Sequence, residues 1–187
     1  MKTQTTLSRA LGWVALGSAL VLSIPLIAMQ FTPEVNWSVG DFMLMGALLF
    51  ITGSAYVLLA RLFDSFIHRI AAAWAIGSTF LLIWVNLAVG LIGSGPHWGN
   101  YMYLGVLVVG LLGLIFSNFS TQGLERALYA MTGSVVVIAL IALLAGAESF
   151  PGSSVKEIIG VNTFFAMLFA VGGILFRYAG HVKATAE

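Results

Sequence analysis

RIAAAWAIGSTFLLIWVNLAVGLIGSG, residues Arg69–Gly95, carries no charge after its first residue. A bilayer's hydrocarbon core of roughly 30 Å is crossed by about 20 apolar helical residues. The stretch is long enough to cross a membrane as a helix. Within it lies Asn86, two residues beyond Trp84. Lipid tails offer an amide no partner, so Asn86 must bond inside the protein. What it bonds to marks the interior of a bundle.

Composition extends this reading to the whole chain. Of 187 residues, 60% are hydrophobic and 8% charged, where a soluble domain carries about a quarter charged. Mean hydropathy is +1.02. Little polar sequence is left for a separate soluble domain, so residues 1–187 read as one polytopic membrane domain. No basic run exists, which argues against a nucleic-acid partner. There are no cysteines, which excludes disulfides, thiolate metal sites and cysteine nucleophiles.

The hydropathy pattern predicts an all-α, six-helix transmembrane bundle with short loops. The spans are approximately 11–29, 41–60, 70–94, 101–116, 127–146 and 158–176. The first run follows Lys2 and Arg9 but is longer than the roughly 7–15 residues of a signal-peptide core, so it reads as a retained helix. Pro25 is expected to kink it. Ser38 and Asp41 suit the N-terminus of the second helix. The link Arg61–His68 reads as an interfacial elbow with its phenylalanines toward lipid, and Asp64 and His68 are spaced to pair. Gly105, Gly110 and Gly113 suggest close packing of the fourth helix.

Six spans place both termini on one side. That side carries Lys2, Arg9, Arg61, Arg69, Arg126, Arg177 and Lys183, and the other carries Lys156. Cytoplasmic loops are enriched in Lys and Arg, so both termini are expected in the cytoplasm.

The chemistry is sparse. No charged residue falls mid-span, where pumps and proton-coupled carriers usually hold one. His68, His97 and His181 fall in links or the tail and read as surface residues, so no haem or metal site is expected. No nucleophile–base pair or phosphate-binding loop stands out, so the chain reads as not an enzyme and without a cofactor.

One constellation remains. The topology places Glu34, Asp41, Asn86, His97, Asn100, Glu157 and Asn162 toward the outer side, with Trp84 close to Asn86. Four acidic residues there, 34, 41, 148 and 157, face Lys156. One reading is a shallow outward pocket for a cation, an amine or a lipid headgroup, with Asp41 supplying charge. The other is structural: the asparagines hold helices together and Asp41 caps its own helix. Trp13, Trp37, Trp74 and Trp98 read as belt residues near span ends. The methionines, Met43 and Met45 among them, read as core filler.

The stretches AMQFTPEVNWSVGDF (28–42) and LLIWVNLAVGLIGSG (81–95), with VN at 161–162, resemble those of a family of small bacterial inner-membrane proteins with six predicted spans and no assigned activity. The resemblance implies a compartment, the bacterial inner membrane, and a topology, but no catalytic residue. The expected function is that of an accessory or interaction protein. Its surroundings are the lipid bilayer and either a membrane-protein partner or further copies of itself in a homo-oligomer. A small channel, carrier or sensor using the outward pocket is the alternative.

Overall fold

The computed structural model describes residues 6–93 and 97–184. It contains six α-helices: α1 (Leu7–Ala28), α2 (Val39–Ala60), α3 (Phe66–Ala88), α4 (Met102–Phe116), α5 (Thr121–Leu144) and α6 (Val155–Ala184). A 3₁₀ turn, Trp98–Tyr101, leads into α4, and another, Ala147–Ser149, follows α5. No strand occurs among the described residues. With the turn before α4 included, all six segments are long and apolar enough to cross a membrane. The all-α, six-span expectation holds, and the architecture is consistent with a multi-pass membrane protein.

The helix boundaries differ from the apolar runs, and local chemistry explains where. Helices overrun the runs wherever a cap lies in polar sequence: α5 starts at Thr121 behind the N-cap Ser120, whose hydroxyl accepts from the Gly123 N–H. The third span shifts most. α3 starts at Phe66 rather than 70 and stops at Ala88 rather than 94. Beyond it Gly90 and Gly93 take φ of +78° and +71°, a left-handed backbone that glycine adopts without steric cost. Ser94, the last residue of the expected span, lies outside the described residues.

The chain divides into two compact units, Met1–Arg61 and Leu62–Glu187. The first is the antiparallel hairpin of α1 and α2, in which neither helix has a buried residue. A Cβ on Gly53 would lie 2.6 Å from Cγ1 of Val14, so the two backbones are close there. Pro25 lies within α1 as expected. The start of α2 is fixed locally. The Asp41 carboxylate accepts from the Ser38 N–H (2.7 Å) and hydroxyl (2.8 Å), and the Asp41 N–H donates back to Ser38 Oγ (3.3 Å). The Trp37 and Phe42 rings meet edge-on at 5.3 Å across this cap. Together they form a capping box and a hydrophobic staple.

In the second unit α6 packs against both α3 and α5, and α4 packs against α5. The buried positions recur every three or four residues, the helical period. On α5 they include Leu124, Ala127, Met131, Val135, Ile138 and Ala142. On α6 they include Ile158, Asn162, Phe165, Phe169 and Phe176. On α3 the stripe runs through His68, Ala71, Ala72, Ser78 and Leu82. Trp74, expected in an interfacial belt, donates its indole N–H across to the Leu168 carbonyl of α6 at 2.8 Å. Hydroxyls within the spans turn back on their own helices: Ser78 bonds the Trp74 carbonyl, Thr79 that of Ala75 and Ser134 that of Ala130.

The α4–α5 seam is closest at Gly113, where a Cβ would sit 2.5 Å from the Cβ of Ala127. Gly113→Ala should therefore force the helices apart and cost about 1–3 kcal/mol. A Cβ on Gly133 meets nothing within 4 Å, so Gly133→Ala should change stability by less than about 0.5 kcal/mol. Thermal unfolding of the two variants in detergent, followed by circular dichroism, checks the contrast.

Candidate functional site

One end of the second unit gathers the close of α3 and the starts of α4 and α6. The turn after α3 leaves backbone groups with no helical partner. The buried side chain of Asn100 supplies partners. Its Oδ1 accepts from the N–H groups of Leu91 (2.7 Å) and Ile92 (3.0 Å), and its Nδ2 donates to the Ile92 carbonyl (3.2 Å). The backbone carbonyl of the same residue accepts from Asn86 Nδ2 at 3.1 Å. The partner of Asn86 is therefore the start of α4. The Asn86 Oδ1 is buried and has no hydrogen-bond partner among the described residues.

Asn162 is held separately. The Tyr103 hydroxyl donates to its Oδ1 at 2.9 Å, and its Nδ2 donates to the Ile158 carbonyl at 2.8 Å. Tyr103 and Asn162 are 1% and 2% exposed, so this α4–α6 bond is shielded from water and lipid alike. Asn86 and Asn162 lie in one unit but do not bond each other.

The other expected site residues are placed as follows. Asp41 and Glu34 belong to the first unit. Asp41 caps α2, and Glu34 is exposed, its N–H donating to Thr32 Oγ1 at 3.2 Å. Trp84, 41% exposed, stacks on Phe80 at 5.9 Å. Glu157 caps α6 as Asp41 caps α2: Ser154 Oγ donates to its carboxylate (2.9 Å) and accepts from its N–H (3.2 Å). Two of the four acidic residues read toward an outward pocket thus serve helix N-termini, where a carboxylate complements the dipole.

Sequence reasoning placed Asn100 among the outer polar residues without a role of its own, and passed over Tyr103. Their signal was spacing: three residues apart, they lie one helical turn from each other at the start of a span, where one amide and one phenol face the same way. A cavity of about 450 Å³ opens between α5 and α6, lined by Val136, Leu140 and Met167 with Thr132, Asn162 and Thr163 among others. Its wall is apolar and suits hydrocarbon rather than a charged ligand. No group of three or more His, Asp or Glu that could hold a metal occurs among the described residues.

The opposite end of the unit corrects two expectations. His68 is not a surface residue: it is 3% exposed, and its Nε2 lies 3.0 Å from Thr121 Oγ1. Phe63 does not face lipid. It is buried, stacked on the His68 ring (5.0 Å between centroids, 21° between planes) and packed on Phe176 at 6.1 Å. The physical reason is that α3 starts four residues earlier than the apolar run. His68 therefore falls in its first turn, on the stripe of Ala71 and Ala72. Phe66 does turn outward, at 74% exposure.

Comparison of the chain with protein-family models, curated proteins and solved structures finds no match to any of them.

Asn100→Ala removes the partners of three backbone groups at once, each costing roughly 1–3 kcal/mol when buried and unanswered. Tyr103→Phe removes a single interhelical bond worth about 0.6 kcal/mol. Asn100→Ala should therefore lower the unfolding temperature several times more than Tyr103→Phe in the same detergent. Equal shifts would assign Asn100 no special part in closing the turn.

Proposed function

We propose that this chain is an accessory protein of the bacterial inner membrane, acting through association of its helices with another membrane protein or with further copies of itself. The observation that carries this reading is a contrast among the glycines. Gly53, Gly110, Gly113 and Gly173 each sit where a Cβ would strike a neighbouring helix of the same chain. Gly12, Gly17, Gly77, Gly105, Gly133 and Gly160 face space with nothing within 4 Å. Small residues in membrane helices let backbones approach closely, and these positions leave that approach open to a further helix. The polar side chains support the same reading, since the capping carboxylates and the Asn100 and Asn162 amides serve the fold. The asymmetry of Lys and Arg supports cytoplasmic termini.

The alternative, a small channel, carrier or sensor, draws support from the unanswered Asn86 Oδ1, which would accept a hydrogen bond from an amine or a water. Gentle extraction from the native membrane followed by native mass spectrometry separates the two. On the accessory reading a stoichiometric protein, or a second copy, is carried along and is lost in Gly105→Leu or Gly133→Leu, while Asp41→Asn keeps it. A small non-protein mass lost on Asn86→Leu, with no protein partner, would overturn that reading in favour of the pocket.

A further inference from the structure

We propose that the cavity between α5 and α6 is a phospholipid site: one acyl chain lies along it, and the headgroup phosphate meets Lys156. The cavity is a groove with a small floor and large rims. Ala166 and Asn162, 9% and 2% exposed, lie at its floor, and the exposed Val136, Leu140, Ile159 and Met167 stand at its rims. Two of its polar members are already satisfied within the protein. The Thr132 hydroxyl donates to the Leu128 carbonyl at 3.0 Å, and the Asn162 amide is held by Tyr103 and the Ile158 carbonyl. Thr163 adds a hydroxyl to a surface that is mainly hydrocarbon.

The groove has the depth of one leaflet. Its α6 wall runs from Ile159 to Ala170 and its α5 wall from Leu143 to Thr132, each about 16 Å at 1.5 Å per residue. The hydrocarbon core is roughly 30 Å thick, so the groove covers about half of it. Past Ala170 the seam is shut. A Cβ on Gly172 would lie 3.2 Å from Leu128 Cδ1, and one on Gly173 would lie 2.7 Å from Tyr129 Cε1. A further transmembrane helix needs a seam through both leaflets, whereas an acyl chain needs the depth of one. The groove matches the chain.

The open end carries charge. Lys156 shares the stripe of Ile159, Thr163, Met167 and Ala170, which recur at helical spacing. It is exposed and has no salt bridge among the described residues. Its side chain leans toward the helix N-terminus, which carries the ammonium out of the hydrocarbon to headgroup level. The N-terminus of α6 is itself taken by Ser154 and Glu157, so the lysine is the partner for a phosphate. Glu148 and Glu157 lie at the same end of the helices. A headgroup with an amine beside its phosphate, such as phosphoethanolamine, suits that mixed charge. The site does not depend on the association proposed above.

Native mass spectrometry of the detergent-solubilised protein, titrated with palmitoyl-oleoyl phosphatidylethanolamine, tests the site. The first lipid should bind more tightly than those that follow. Ala139→Phe, which fills the groove, should remove that first step. Val137→Phe, at an exposed position of α5 outside the groove, should keep it. Lys156→Gln should weaken it about fivefold, the effect of one lysine near a lipid surface, and Lys156→Arg should restore it. If Ala139→Phe fails to fold, the native chain decides: dihexanoyl phosphatidylethanolamine, with chains too short to reach Ala170, should bind far more weakly than the long-chain lipid. Equal binding of the two lipids, or a first step unchanged in Ala139→Phe or in Lys156→Gln, overturns the proposal. So does a second copy of the chain that Ala139→Phe displaces.

Discussion

An amide withdrawn from water must be answered by another group of the same chain, and one end of the four-helix unit is arranged around that requirement. α3 ends in a glycine turn whose N–H groups no helix satisfies. Asn100 folds its side chain back over that turn and offers its own carbonyl to Asn86. The chain is thereby directed into α4 with Tyr103 one turn further on, placed to reach Asn162 on α6. Three helices are tied at this end by bonds between buried or half-buried polar groups. In lipid, where apolar burial drives little association between helices, such bonds and close packing decide the arrangement.

How much of this was legible in the sequence depends on the range of each interaction. The six spans were legible because hydropathy is local and runs the length of a helix. So was the Ser38–Asp41 cap, which is confined to four consecutive residues. The same logic at Ser154 and Glu157 was masked by their link, where Glu157 looked like part of an acidic cluster. Asn86 announced its need for a partner, but not which one. The partner is 14 residues away, across a turn whose closure depends on glycine backbone angles rather than hydropathy. His68 was misplaced for a related reason. The arginines beside it suggest an interface, whereas its burial follows from where α3 starts.

The two units differ in what holds them. The hairpin has no buried residue, and the features that define it are local: the cap, the staple and the close approach at Gly53. The four-helix unit is held by long-range contacts. Its buried stripes are rich in alanine on α3 and in phenylalanine on α6, so large rings fill the space that small residues leave. The indole of Trp74, bonded to the Leu168 carbonyl, and the phenol of Tyr103, bonded to Asn162, both reach α6. α6 is the element to which the rest of the unit is registered.

The lengths of the helices carry a consequence of their own. α6 has 30 residues, about 45 Å of helix. α4 has 15, and with the 3₁₀ turn before it spans roughly 30 Å, the thickness of the hydrocarbon itself. In a bilayer α6 would exceed the hydrocarbon thickness and α4 with its turn would just match it, so a thicker membrane would leave α4, not α6, short.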